Sequence, residues 1–242
     1  MPTADQIILE FTSLFDMHQA EHLAGFFKTG KGEYGEGDKF LGIKVPVTRE
    51  IVKRYRKSVS IDDVQKLIDS EWHEIRLAGF LLLIELYKAS LKSNQPYEAE
   101  FLVNFYILNI DKGNNWDLVD LVAPNILGDW ALKHPEWEKV ILELSESHGK
   151  LWRQRMAIVS TFALIKAGKY QITFDLASKY LTHRHDLIHK ATGWMLREIG
   201  KRGGKEKLVE FLESNKTIMP RTMLRYAIER FSPEEKVYFM SK

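Results

Sequence analysis

Apolar residues recur along this chain at intervals of three and four, separated by short breaks of Gly, Pro, Ser or Asn, with little sustained two-residue alternation. That periodicity predicts an all-α protein. Helices are expected over 4–28, broken near 16–19, then over 46–56, 62–67, 72–87, 97–109, 116–132 and 135–145. The series continues over 151–167, 172–181, 186–201, 205–214 and 220–230. A weak internal period accompanies it. Arg76-Leu77-Ala78, Arg155-Met156-Ala157, His189-Lys190-Ala191 and Arg225-Tyr226-Ala227 open similar apolar stretches, their alanines 79, 34 and 36 residues apart. The first interval is about two repeat lengths, with a helix at Trp116 in the missing slot, so helix pairs are expected to stack as an α-solenoid with a concave basic groove. An irregular helical bundle is the alternative, because small Ala positions let helices approach closely in either arrangement.

Composition narrows the class. The 242 residues are 45% hydrophobic, enough to bury a substantial core as a single domain over 1–242. There is no cysteine, which excludes disulfides, thiolate chemistry and cysteine-held zinc or iron–sulfur sites. The longest strongly apolar run, Leu77 to Ile84, falls far short of the roughly 18 residues a membrane span needs, and the start of the chain lacks a secretory pattern. The expectation is a soluble, cytoplasmic monomer with no membrane association and no obligate protein partner. Net charge is +2, but residues 150–202 hold eleven Lys and Arg against three acids, Asp175, Asp186 and Glu198. Such asymmetry attracts a polyanion through its local field; solvated helix faces give the same count.

The most informative stretch is Asn114-Asn115-Trp116-Asp117-Leu118-Val119-Asp120. In a helix Trp116 and Asp120 share a face, which sets an aromatic plane beside a carboxylate. Two basic and aromatic segments are candidate companions: Trp152-Arg153-Gln154-Arg155, and Lys190-Ala191-Thr192-Gly193-Trp194-Met195-Leu196-Arg197. Together they suggest a site for a cationic, or cation-developing, nucleic-acid group. Taken singly, either tryptophan also reads as core packing and Asp120 as a solvated helix face.

The chain resembles the AlkD-like DNA alkylation repair proteins. The matches run in order from Lys39-Phe40-Leu41-Gly42-Ile43, through Trp116-Asp117-Leu118-Val119-Asp120 and Pro124-Asn125-Ile126-Leu127-Gly128-Asp129, to Gly193-Trp194-Met195-Leu196-Arg197-Glu198. The resemblance implies a curved array of HEAT-like repeats and a DNA glycosylase that hydrolyses the N-glycosidic bond of cationic N3- or N7-alkylated purines in duplex DNA. It needs neither metal nor cofactor, and it departs from the usual extraction of the base into a pocket. By the same resemblance Trp116, Asp120 and Trp194 match the lesion-contacting positions, Arg155 a basic position in the DNA groove, and Arg197 a further one. Where the family carries a tyrosine near the end of the second helix this chain has Phe26 or Phe27, so both are candidate DNA contacts, with stacking kept and the hydroxyl lost. The Gly-rich connection that follows is longer than in the best-characterised form.

The residue types suit that chemistry in their own right. Alkylation at N3 or N7 makes the purine a cation, so bond cleavage releases a neutral base and moves positive charge onto the sugar. What helps is an anion near the sugar, aromatic faces and a positioned water. Asp120 supplies charge and orients water; Trp116 and Trp194 supply faces. Arg153, Lys190, Lys201 and Arg202 fit phosphate contact by their place in the basic stretch. No lysine is identified for a Schiff base, so the expected product is an abasic site. A noncatalytic binder of damaged or structured DNA is the alternative, and a HEAT-type protein scaffold a third.

Two motifs are discounted. Gly30-Lys31-Gly32-Glu33-Tyr34-Gly35 spells GxGxxG, but it follows a helix rather than a strand and carries acids that repel phosphate; it reads as a flexible loop. His18-Gln19-Ala20-Glu21-His22 resembles a zinc motif but has no third ligand in view. His183, His185 and His189 lack metal spacing and read as loop and groove residues.

Overall fold

A computed structural model describes residues 3–93 and 95–241. The fold is all-α: among the described residues the only β feature is a single parallel bridge between Lys39 and Trp72. The chain divides into two compact units, 1–122 and 123–242.

The first unit holds α1 (Thr3–Ser13), α2 (Met17–Phe26), α3 (Val45–Tyr55), α4 (Ile61–Ile68), α5 (His73–Lys92), α6 (Pro96–Leu108) and α7 (Trp116–Val122). Its axis is α5, buried without interruption from His73 to Ile84 and packed on α1, α3, α4, α6 and α7. Local signals set the ends. Asp16 caps α2 by accepting from Gln19 N, and Ser60 and Asp63 form a reciprocal capping box on α4. Asp63 also accepts from Ala4 N at 2.8 Å, which fastens α1 to α4.

The second unit opens with a 3₁₀ turn, Ala123–Asn125, and continues with α8 (Leu127–Lys133), α9 (Glu138–Ser145), α10 (Leu151–Lys166) and α11 (Gln171–Lys179). Then come α12 (Asp186–Lys201), α13 (Lys205–Asn215), α14 (Arg221–Ala227) and α15 (Pro233–Met240). Here α10 and α12 form the core, α10 packing on α8, α9, α11 and α12, and α12 on α13 and α14. Close approach is built in at Gly193, where a Cβ would lie 2.4 Å from Met223 O and 2.5 Å from Tyr226 Cβ. The period-marking alanines Ala78, Ala157, Ala191 and Ala227 are all buried in such packing.

Apart from shifts at helix ends, the elements differ from expectation in two places. The helix expected over 116–132 is two, parted by the 3₁₀ turn, because Pro124 has no N–H for the ladder and its ring crowds the preceding turn. The final helix α15 was not expected, although Ser232 and Glu235 form a full capping box with Pro233 in the first turn. No helix among the described residues is long and apolar enough to cross a membrane.

Candidate nucleic-acid site

In the first unit the Asn114–Asp117 run starts α7, and each of its side chains has a task. Asn114 accepts from Arg76 Nη2 at 3.0 Å. Asn115, fully buried, accepts from Trp116 N at 2.9 Å and donates to Phe27 O at 3.4 Å. Asp117 accepts from its neighbour Leu118 N at 2.9 Å and meets His73 Nε2 at 2.9 Å. The backbone at Trp116 is therefore tied to α5 and to the end of α2.

The Trp116 ring caps a cluster of aromatics. Phe27 lies parallel beneath it at 5.1 Å between centroids, and Phe27, Phe40 and His73 pack as a triangle, with Phe40 and His73 each 5.0 Å from Phe27 and 4.5 Å from one another. The three rings beneath, His73, Phe40 and Phe27, are buried and Trp116 is half-buried. Phe26 presents its edge to Trp116 at 5.9 Å and is 57% exposed. The two phenylalanines thus divide: Phe26 reaches the surface, whereas Phe27, expected to contact DNA, lies under Trp116 and supports it. Asp120 is half-buried one helical turn beyond Trp116, on the face their spacing dictates.

Through His73 the cluster joins an ionic network that sequence reasoning missed. His73 Nδ1 meets Asp38 at 2.7 Å, and Arg76 donates to the other oxygen of Asp38. Burial works against ionising Asp38, but hydrogen bonding and charge from His73 and Arg76 prevail and hold its carboxyl below the usual value. Glu74 accepts from three successive backbone N–H groups, Leu41 at 2.9 Å, Gly42 at 2.9 Å and Ile43 at 3.0 Å, and so fixes the Phe40 turn. Asp38 and His73 are 35 residues apart, and His73 and Asp117 are 44, so no local pattern announces them.

The Gly-rich connection is held rather than loose. Glu33 accepts from Gly30 N and Glu36 from Gly32 N, both at 2.9 Å, so the amides a phosphate cradle would need are taken by the loop's own carboxylates. Gly35 packs where a Cβ would lie 2.4 Å from Phe27 O, bringing the loop against the aromatic cluster. His18 and His22 are exposed on α2.

In the second unit Trp194 is half-buried on α12, with Phe162 of α10 at 6.1 Å. Lys166 and Arg202 each place a cation 5.2 Å from the Phe162 ring centre. Phe162 was not singled out from sequence, although Lys166 follows it by one helical turn. The expected basic residues are engaged within the protein. Arg197 pairs with Glu229, Lys201 lies 2.9 Å and Arg202 3.3 Å from the buried Glu198, and Lys190 lies 2.7 Å from Asp186. Arg153 is half-buried, and Trp152 beside it is too. Arg155 is buried and donates to Leu187 O at 2.6 Å, which ties α10 to the start of α12.

Three histidines of the second unit, His183, His185 and His189, gather at one turn. His183 Nδ1 accepts from His185 N at 3.0 Å, and His185 Nδ1 caps α12 by accepting from Leu187 N at 3.2 Å. Desolvation and their mutual repulsion push His183 below its ordinary value, and desolvation, against the pull of Asp186, does the same for His185. Both serve as neutral acceptors, and with Gln154, Lys179 and Tyr180 they line a cavity of about 520 Å³.

The family model for DNA alkylation repair enzymes matches residues 7–231 of this chain. Among solved structures, one described as a predicted DNA alkylation repair enzyme from Enterococcus faecalis is similar, with a TM-score of 0.69 and 17% identity, covering 90% of this chain and 97% of that one. At that identity the likeness shows the fold. No curated protein matches the chain.

Proposed function

Because this chain belongs to the DNA alkylation repair enzyme family, we propose that it is a monofunctional DNA glycosylase acting on cationic N3- or N7-alkylated purines in duplex DNA. The observation that carries this reading is α7 itself: a half-buried tryptophan stacked on a buried aromatic cluster, with a carboxylate one helical turn away. Aromatic face and anion are what a departing cationic purine and its sugar require.

In the reaction the C1′–N bond breaks and its electron pair returns to the alkylated base, which leaves neutral. Positive charge passes to the sugar, where the Asp120 carboxylate stabilises it and holds a water for attack at C1′. The water oxygen bonds to C1′, and its proton passes by way of Asp120 to solvent, leaving an abasic site. A preorganised charge of this kind is worth about 3 to 4 kcal/mol, or two to three decades in rate. Trp116 and Trp194 supply the faces against which the cationic groups lie. Phosphate contacts from Arg153 of α10 and from Lys190, Arg197, Lys201 and Arg202 on and just after α12 set register without reading sequence, while the buried Arg155 supports the start of α12.

The test is release of N7-methylguanine from a duplex oligonucleotide at low and moderate salt, with abasic sites revealed by alkali. Wild type is expected to release the base and Asp120→Asn to be slower by about a hundredfold with DNA binding retained. Salt-sensitive binding without release by the wild type overturns the glycosylase in favour of a noncatalytic DNA binder, and absence of binding favours a protein scaffold.

A further inference from the structure

His73 is 2% exposed, yet each of its ring nitrogens faces a carboxylate, Nδ1 at 2.7 Å from Asp38 and Nε2 at 2.9 Å from Asp117. A neutral imidazole has one N–H and satisfies one of them; an imidazolium satisfies both. Burial opposes that charge, but Asp117 and Asp38 outweigh it and raise the ring's pKa to about 9. The other charged groups of the cluster have their own partners: Arg76 turns to Asp38, and Glu74 is occupied by the Leu41–Ile43 amides.

The three members of this clamp belong to three segments, the end of the Gly-rich loop, the start of α5 and the first turn of α7. Each brings a ring to the cluster: Phe40 lies two residues after Asp38, Trp116 immediately precedes Asp117, and His73 itself packs on both Phe40 and Phe27, the ring under Trp116. Locking the carboxylates therefore locks the rings. We propose that His73 is a positioning residue for the repair reaction: clamped between Asp38 and Asp117, it fixes the height and tilt of the Trp116 ring that receives the cationic base, without touching DNA. This rests on the glycosylase reading, and a purely structural histidine would act on the whole fold instead of through Trp116.

The test is a double-mutant cycle of His73→Gln and Trp116→Phe in single-turnover release of N7-methylguanine. Each single change is expected to slow release about tenfold, and the pair to be no more than about threefold slower than Trp116→Phe alone. Independent, multiplying losses overturn the proposal.

A second readout does not need activity. Acrylamide quenching of Trp116, taken as the difference between each protein and its Trp116→Phe counterpart, is expected to rise about twofold in His73→Gln. In the wild type it rises as the pH is taken from about 8 to about 10 and the ring loses its proton. Quenching that stays constant in both comparisons overturns the proposal. If the wild type releases no base, the glycosylase reading fails while quenching still decides the role of His73. If His73→Gln does not fold, Asp117→Asn, which keeps the shape and removes one anion, takes its place in both measurements with the same expected outcomes.

Discussion

The two units treat an aromatic platform and its charges in opposite ways. In the first, the charges lie beneath the rings: Asp38, His73, Glu74 and Arg76 are all buried, and their bonds run from α5 into the loop and α7. In the second, cations lie at the outer face of a ring, Lys166 and Arg202 over Phe162, and the exposed Arg202 and Lys201 are held on the buried carboxylate of Glu198. Buried ion pairs lose much when one partner is removed, because the other charge is stranded. Exposed ones lose little and respond to salt. The first arrangement fixes a geometry; the second sets a field that a polyanion can share.

The largest effect expected from this contrast is that of Glu74→Ala, which strands three buried N–H groups at Leu41, Gly42 and Ile43. It should cost about 3 to 5 kcal/mol and lower Tm on the order of 10 °C, read by urea and thermal unfolding. A loss no greater than that of a surface glutamate would break the comparison.

Next is the pH dependence of stability. The folded pKa of His73, about 9, stands above its unfolded value near 6.5, so its contribution is complete below about pH 6.5 and is lost as pH rises through about 9. The difference amounts to about 3 kcal/mol. Urea unfolding at intervals across that window should show the decline in the wild type and its absence in His73→Gln.

The second unit should feel packing more than buried charge. Gly193→Ala places a Cβ against Met223 O and Tyr226 Cβ, and α12 must shift from α14. The expected cost is about 2 kcal/mol, with Trp194 displaced along with its helix. Unfolding and Trp194 fluorescence report the two parts of that outcome.

Much of this was legible in the sequence, and the limits have physical causes. Three- and four-residue periodicity gave the all-α fold, and the spacing of Trp116 and Asp120 placed both on one face of α7. The break at Pro124 and the Ser232–Glu235 capping box were also present as local signals. The clamp around His73 was not: it depends on contacts across 35 and 44 residues, and hydrogen-bond partners that distant leave no periodic trace. For the same reason Phe27 read as a neighbour of Phe26 rather than as the ring under Trp116.

The smallest structural effect, and the sharpest contrast with Glu74, belongs to Glu198→Gln. Glu198 is buried, but Lys201 and Arg202 can turn to solvent when it is neutralised, so no charge is stranded; the expected loss is about 1 kcal/mol. DNA binding should move the other way. Glu198 now offsets part of the field of the cations grouped around it, and its removal frees Lys201 and Arg202 for phosphate. Duplex affinity at low salt should rise several-fold, and the plot of log affinity against log salt should steepen by about one phosphate contact. Weaker binding in Glu198→Gln would mean that the carboxylate holds these cations in a geometry DNA needs, which would bring the second platform under the same rule as the first.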